Sequence, residues 1–245
     1  MEVRAKKRLK NYIRLSLKDR MKIALLGKGK TGGKVLELLI EKKIPHTVFD
    51  SKNHPTLESL KGHDVVISFL TGDVFGEYMP LLIEAKIPVV TGSTGISFGS
   101  ELSATLQKNN IKWIYATNFS LGMNLVHQMI LIMKNAGSIL SDYSFSMNEI
   151  HHTKKLDAPS GTALSWKNWA GHEMNITSER IGDVIGIHEL TLKTATEEIT
   201  LKHTALDRKI FAEGALYGAN IISTLTPGLH LFQDVVQKEL LKGIK

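Results

Sequence analysis

A glycine-rich turn between a short apolar run and a helical pattern constrains this chain most. The run KIALLG (22–27) is typical of a buried strand, and TGGKVLELLIEKK (31–43) has apolar residues at helical spacing. Between them, a GxGxxG pattern places glycines at Gly27, Gly29 and Gly32. The first permits a tight turn, the second lets a pyrophosphate approach the backbone, and the third lets helix and strand pack closely. The turn therefore predicts a dinucleotide-binding unit, with a plain strand–helix turn as the alternative.

We expect the coenzyme to lie along the edge of the sheet where the strands end, as ligands of open α/β sheets do. Asp50 ends the second predicted strand and would accept hydrogen bonds from the adenosine ribose. Loops that follow later strands at this edge are expected to contact the nicotinamide half. The predicted coenzyme-binding residues are Gly27, Lys28, Gly29, Lys30, Thr31, Gly32, Asp50, Thr71, Gly92, Ser93, Thr94, Ala116, Thr117, Asn118 and Phe119.

The remaining pattern predicts an α/β protein of two domains. Strand and helix patterns alternate up to residue 118, which indicates a Rossmann-type parallel sheet. A long helix (124–137), an alternating strand near residue 150 and a hairpin (188–206) then predict a second α+β domain with an open mixed sheet. We therefore expect a basic extension at 1–20, a dinucleotide-binding domain at 21–118 and 208–245, and a substrate-binding and oligomerisation domain at 119–207.

The charge distribution argues against a nucleic-acid partner. The net charge is +7, but residues 1–20 carry eight Lys/Arg against two acidic residues, so the rest of the chain is close to neutral. The sequence has no cysteine, which excludes disulfides and thiolate sites. No apolar run approaches the roughly 20 residues of a membrane span, so we expect no membrane partner.

The stretch EIHHTKKLDAPSGTAL (149–164) concentrates groups that bind anions and move protons. Pro159 and Ser160 are typical of a helix start, where backbone amides attract a carboxylate or phosphate. The adjacent lysines add positive charge, and histidines exchange protons near neutral pH. The alternatives are surface histidines and a solvated lysine pair. We predict no metal site, since adjacent histidines on a strand point in opposite directions and carboxylates are sparse.

These motifs resemble the 4-hydroxy-tetrahydrodipicolinate reductase (dihydrodipicolinate reductase) family. The resemblance rests on E-x-H-H-x-x-K-x-D-A-P-S-G-T-A from Glu149 to Ala163, the most specific motif of that family. The glycine turn, GSTG at 92–95, ATNFSLG at 116–122, RIGDVIGIH at 180–188 and FAEGA at 211–215 reinforce it. Nearly the whole chain beyond the extension is covered.

The resemblance implies an enzyme of lysine (diaminopimelate) biosynthesis that uses NADH or NADPH. The coenzyme would deliver hydride to a cyclic imine dicarboxylate, formed from 4-hydroxy-tetrahydrodipicolinate by loss of water. By motif position, His151 and Lys155 correspond to the proton donors, with either open as the residue that delivers the proton. Substrate binding is expected at His152, Ser160, Gly161 and Thr162. The family implies a cytoplasmic homotetramer whose second domains join through their sheets.

One departure from the family bears on the coenzyme. The family loop commonly has arginine where this chain has Thr31, so a cationic partner of the adenosine end is missing. Two other functions stay open at this point: another two-domain dehydrogenase, acting on aspartate or diaminopimelate, and a regulator that binds NAD(P) without chemistry. The DAPSGT run argues against the first, and the presence of both His151 and Lys155 argues against the second.

Overall fold

The structure is a computed structural model that describes residues 21–242. The predicted basic extension, residues 1–20, lies outside the described residues. The described chain forms two compact units, one of residues 21–119 and 211–235 and the other of residues 120–210 and 236–242. None of the helices in this part of the chain is both long and apolar enough to cross a membrane.

The first unit is built on a six-stranded parallel sheet. Its strands are β1 (Ile23–Leu26), β2 (His46–Phe49), β3 (Val65–Ser68), β4 (Val89–Thr91), β5 (Lys112–Tyr115) and β10 (Gly228–Leu231). They are ordered β10-β5-β4-β3-β1-β2, and every neighbouring pair is parallel. β1 and β3 are buried along their whole length, as expected for central strands of a parallel sheet.

Four helices belong wholly to this unit: α1 (Lys30–Glu41), α2 (Leu57–Leu60), α3 (Gly72–Glu84) and α4 (Ser100–Lys108). In α1, Val35, Leu38 and Leu39 are buried at the spacing of one helix face. The core on one side of the sheet includes Phe75 and Trp113, whose rings meet edge to face at 5.8 Å. Two more helices follow near the end of the chain, α7 (Lys209–Ile221) and α8 (Phe232–Leu241).

The second unit contains a four-stranded mixed sheet. Its strands are β6 (Ser144–His151), β7 (Asn175–Arg180), β8 (Gly186–Lys193) and β9 (Glu198–Ala205), ordered β7-β6-β8-β9. β6 is parallel to β7 and antiparallel to β8, and β8 is antiparallel to β9. Helices α5 (Leu121–Lys134) and α6 (Gly161–Ala170) pack with the sheet around Trp166, which donates from Nε1 to the sulfur of Met123 at 3.1 Å.

The predicted fold class is confirmed, with two strands that the sequence patterns did not predict. β7 has the polar sequence NITSER, and none of its residues is fully buried. β10 has only four residues and is placed by its pairing with β5. Neither segment has the apolar run or alternation from which a strand is predicted.

Candidate active site

The turn after β1 has the geometry of a phosphate cradle. Gly27 has φ of +84°, in the left-handed region that favours glycine. A Cβ on Gly32 would lie 2.1 Å from the carbonyl oxygen of Gly27, so no larger residue fits there. A Cβ on Gly29 would meet nothing within 4 Å. Gly29 begins α1 without a side-chain cap, and the first turn has no acidic residue. The first amides of α1 can therefore receive an anion.

Asp50 lies next to this turn and is held ionised. The Lys28 Nζ lies 2.7 Å from Oδ2, and the amide of Lys52 donates to Oδ1 at 2.8 Å. The Lys28 contact and the Lys52 amide lower the pKa of Asp50 to about 2. Lys28, which we predicted as a coenzyme contact, therefore forms an ion pair with the residue predicted to bind the ribose.

A cavity of about 670 Å³ opens beside Gly29 and Asp50. Leu70 and Val74 give it an apolar wall, and Tyr78 also lines it. The Tyr78 hydroxyl lies 2.6 Å from Nδ1 of His54, a further lining residue. A largely apolar pocket with a few polar groups at its rim is suited to an adenosine. None of these four lining residues was predicted from the sequence, because the GxGxxG pattern marks only the phosphate turn.

A second cavity of about 380 Å³ collects most of the residues predicted at the nicotinamide end. Three residues that were not predicted, Phe69, Leu70 and Phe211, also line it. A Cβ on Gly92 would lie 2.2 Å from the Phe69 ring, so glycine is needed there for close packing. The predicted residues that line this cavity are Lys30, Thr31, Thr71, Gly92, Thr94, Ala116, Thr117 and Phe119.

Three predicted coenzyme residues, Gly32, Ser93 and Asn118, do not line either cavity. Ser93 is buried, with its Oγ 3.0 Å from Oγ1 of Thr91, so its side chain supports the turn after β4. Asn118 is half-buried near the end of the first unit. Ser93 was included because it stands between Gly92 and Thr94, and sequence alone does not show that its hydroxyl turns inward.

The predicted proton donors lie in the second unit, at the end of β6 and in the loop that follows. Phe145, Met147, Glu149 and His151 share the buried face of β6. The Oε2 of Glu149 lies 3.1 Å from Nδ1 of His151. Burial lowers the pKa of His151, and the positive charges of Lys155 and Arg180 lower it further. The negative charge of Glu149 opposes this shift without cancelling it. His151 is therefore a nearly buried imidazole that gives up a proton readily.

Glu149 is completely buried and still ionised. Its Oε1 accepts from the Ser160 amide at 3.0 Å and from Nη2 of Arg180 at 3.1 Å. Burial would raise the pKa of Glu149, but hydrogen bonds from groups that include Ser160 and Arg180 outweigh burial and lower it. The carboxylate of Glu149 on β6 therefore links this strand to Arg180 on β7 and to Ser160 at the start of α6.

Lys155 is also held by an acidic partner. Its Nζ lies 2.8 and 2.9 Å from the two carboxylate oxygens of Asp157. The Lys155 contact lowers the pKa of Asp157. Arg180 fixes the loop that contains Lys155 and Asp157. It donates from Nε to the carbonyl of Lys155 at 3.2 Å and from Nη2 to the carbonyl of Asp157.

The residues predicted to bind substrate surround the start of α6. Ser160 caps the helix by accepting from the Ala163 amide at 3.2 Å, and it is itself buried. Its own amide is directed to Glu149, so only the amides that follow it are near the surface. Gly161 is exposed, Thr162 is half-buried, and a Cβ on Gly161 would meet nothing within 4 Å. His152, half-buried, follows His151 at the end of the strand.

His188, which the sequence analysis did not assign to the site, completes the cluster. It stands opposite Glu149 in the β6–β8 pairing, with Nε2 at 3.8 Å from Oε2 of Glu149 and 3.3 Å from Oγ of Ser160. Burial, and the neighbouring His151, lower the pKa of His188 to about 4. His188 is therefore a neutral hydrogen-bonding residue at physiological pH. His188 and Arg180 are the last and first residues of the motif at 180–188, which supported the family resemblance but gave neither residue a role.

Glu149, His151 and His188 also have the atom types of a metal site, all within 4.8 Å of one another. The guanidinium of Arg180 already neutralises the carboxylate and would repel a cation. The three groups are of the types that exchange or support a proton. The absence of a bound metal stays a prediction.

Comparisons with known proteins match almost the whole described chain. A family model described as dihydrodipicolinate reductase, N-terminus, matches residues 21–119, and one described as dihydrodipicolinate reductase, C-terminus, matches residues 122–236. A 4-hydroxy-tetrahydrodipicolinate reductase of Christiangramia forsetii is 33% identical over 88% of this chain and 98% of its own. One of Stenotrophomonas maltophilia is 34% identical over 71% of this chain and 73% of its own.

A solved structure has the same fold at low identity. The dipicolinate-bound dihydrodipicolinate reductase of a Paenisporosarcina species superposes with a TM-score of 0.73. It is 22% identical and covers 88% of this chain and 99% of its own.

Proposed function

This chain belongs to the dihydrodipicolinate reductase family, and we propose that its His151 and Lys155 supply the proton in the reaction of that family. The reaction is the NAD(P)H-dependent reduction of the dehydrated form of 4-hydroxy-tetrahydrodipicolinate to tetrahydrodipicolinate, in lysine (diaminopimelate) biosynthesis. The chain is thus an oxidoreductase. The roles of individual residues, the preferred coenzyme and the assembly are proposals.

The observation that carries the proposal is the closed cluster at the end of β6. His151 lies against an ionised carboxylate, which supports a positive charge on its ring. Lys155 lies on the loop that Arg180 holds in place. After hydride transfer, negative charge on the substrate has to be neutralised by a proton. A buried imidazole next to a carboxylate is a suitable general acid, and a neighbouring ammonium stabilises the developing charge.

We propose that one substrate carboxylate binds at the first turn of α6. Gly161 and Thr162 present the amides nearest to the surface there, and Lys155 adds a positive charge close by. His152, which follows His151 at the end of β6, is the fourth residue proposed to contact the substrate. Ser160 supports the site as the helix cap. The Paenisporosarcina reductase, which has this fold, binds dipicolinate, a ring dicarboxylate of the same class.

The coenzyme is NADH or NADPH, and the first unit has a fitting place for it. The open space at Gly29 leaves room for a pyrophosphate against the amides of α1. The larger cavity beside Asp50 suits the adenosine, and the smaller cavity lined by Thr71 and Phe119 suits the nicotinamide. When bound, the nicotinamide supplies the hydride. We propose that the residues of this unit bind and orient the coenzyme.

We propose that the first unit binds the dinucleotide and that the second binds the substrate and mediates assembly. A cytoplasmic homotetramer joined through the second-unit sheets remains the proposed assembly, as the family resemblance implies. β9 is an edge strand in this chain, and Ile199 on it is 46% exposed. An apolar residue on an open edge favours pairing with another chain.

The experiment is a coupled assay in which the preceding synthase generates the substrate and the loss of NADH absorbance is followed. His151→Ala and Lys155→Ala should each lower kcat by roughly 10²–10⁴-fold, the usual loss for a general acid. The affinity for NADH should stay within about twofold, because neither residue belongs to the first unit. Lys154→Ala is the matched control, since Lys154 is exposed and adjacent in sequence. Near-parental turnover of both single variants would contradict the proposed roles.

A further inference from the structure

Glu149 is a buried charged group to which the reaction as described so far gives no function. It is on the inner face of β6, where Phe145 and Met147 precede it, and it has no exposed surface. Burial of a carboxylate among apolar side chains is unfavourable unless several donors satisfy it. A sheet that needed only a filled core would be better served by an apolar residue at this position.

The two oxygens of Glu149 face different partners. Oε1 accepts from the Ser160 amide and the Arg180 guanidinium. The hydroxyl groups of Ser160 and Ser178 also help to lower the pKa of the carboxyl group. Oε2 accepts no well-aligned hydrogen bond and lies 3.1 Å from Nδ1 of His151. The carboxylate is thus anchored on one side and directed at His151 on the other.

We propose that Glu149 is a positioning residue, which orients the His151 ring through Nδ1 so that Nε2 is the nitrogen that delivers the proton. This inference rests on the proposed role of His151 as proton donor and adds a second residue that acts through it.

The surroundings of the His151 ring support this orientation. Nε2 of His151 lies close to Gly186. A Cβ added to Gly186 would lie 3.1 Å from Nε2 and 3.4 Å from Cδ2 of the His151 ring. Glycine at this position on β8 therefore leaves space around the nitrogen that faces away from Glu149. On another side, the His188 ring packs edge-on at 5.0 Å. The ring is held between β6 and β8, and its Nδ1 lies 3.1 Å from Oε2 of Glu149.

The charges around His151 explain why the carboxylate is needed. Lys155, Arg180 and burial all disfavour a positive imidazolium, and His188 opposes it when protonated. Glu149 and the more distant Asp157 favour it. Without Glu149, the ring would lie among cations with only Asp157 in opposition. It would then hold its proton only at lower pH.

The test is the pH dependence of kcat in Glu149→Gln, a substitution that keeps the size of the side chain and removes its charge. A general acid loses activity as pH rises through its pKa, so this variant should move the alkaline limb of the profile to lower pH. We expect a shift of at least about one pH unit and a loss of at least about tenfold in kcat at pH 8. KM for the substrate and the affinity for NADH should stay within about threefold. Loss of a merely structural carboxylate would lower activity without moving the limb.

Three further variants keep the result decisive. Glu149→Asp retains the charge at a greater distance and should shift the limb in the same direction but less far. Glu189→Gln, on the neighbouring strand β8 and paired with Lys202 at 3.2 Å, makes the same change outside the cluster and should leave the profile unchanged. In a His151→Gln background, Glu149→Gln should cost no more than about threefold, because coupled residues are not additive.

The outcomes separate the inference from the proposed function. If His151→Gln itself keeps near-parental turnover, the proposed role of His151 fails. If His151→Gln loses turnover but the limb stays in place in every folded Glu149 variant, only the inference is overturned. NADH binding and the circular dichroism spectrum show which variants fold, and Glu149→Asp decides the question if Glu149→Gln does not.

Discussion

His188 should make the stability of this protein strongly dependent on pH between 5 and 7.5. Its side chain is 5% exposed, and burial together with His151 lowers its pKa from 6.5 to about 4. Between pH 6.5 and about 4, the folded protein keeps His188 neutral, whereas the unfolded chain takes up a proton on this residue. The stabilisation is therefore complete above pH 6.5 and is lost as pH falls towards 4.

The magnitude follows from the difference between the two pKa values. A shift of one unit corresponds to about 1.4 kcal/mol, so the full effect of His188 is about 3 kcal/mol. Between pH 7.5 and 5, about 2 kcal/mol of this should be lost, because the unfolded chain is almost fully protonated at pH 5 and the folded protein is not. No discount for solvent screening is needed for a side chain this deeply buried.

The assay is urea unfolding at several pH values and one protein concentration, for the parent and for His188→Gln. Glutamine has no proton to gain and can still face the Ser160 hydroxyl, which lies 3.3 Å from Nε2 of His188. Three other histidines also have lowered pKa values: His63, His151 and His203. The contribution of His63 is common to both proteins, whereas His151 and His203 interact with His188, so their titration is followed separately by NMR in both proteins. The parent should lose about 2 kcal/mol more than the variant between pH 7.5 and 5. Equal losses in both would refute the reasoning.

Three further predictions concern the coenzyme-binding unit. NADH should be used at least as well as NADPH, because an acidic residue at the position of Asp50 binds a free ribose hydroxyl and repels a 2′-phosphate. A preference for NADPH in kcat/KM beyond about tenfold, with loss of that preference in Lys52→Ala, would contradict this. Gly32→Ala should lower the melting temperature, because its Cβ would lie 2.1 Å from the carbonyl oxygen of Gly27. Gly29→Ala should leave the melting temperature unchanged and weaken NADH binding, which a coenzyme titration by fluorescence would show, since its Cβ meets only open space.

The first unit could be predicted well because its signals are local. Buried strands such as β1 and β3 are continuous apolar runs, and the turn at Gly27 requires a residue that adopts positive φ. β7 and β10 were missed because pairing with a neighbouring strand defines them, and pairing is a long-range property. The sequence NITSER forms a strand only because β6 lies beside it from Ser146 to His151.

The candidate site was predictable only along the chain and not across the sheet. His151, Lys155 and the helix start at Ser160 are close in sequence and share one motif. Glu149 and His188 meet because the β6–β8 pairing places them opposite each other, and Arg180 pairs with His151 across β6 and β7. A shift of one residue in either register would turn these side chains to the opposite face. Register depends on the whole sheet, so their roles could not be assigned before the structure was known.

The inner face of β6 shows where folding and chemistry make different demands on one strand. Phe145 and Met147 fill the core, and two positions later the same face carries Glu149 and then His151. Local rules would place apolar residues at both sites, and departures of this kind are expected where function requires them. A strand holds side chains more firmly than a loop does, and the hydrogen bonds from Ser160 and Arg180 lock the carboxylate further. The His151 ring is thereby held by the sheet, while Lys155 and the amides proposed to bind the substrate lie on the adjoining loop and first helical turn. The same burial that positions His151 also keeps His188 neutral. Resistance to acid is therefore reduced by the arrangement that we propose for the reaction.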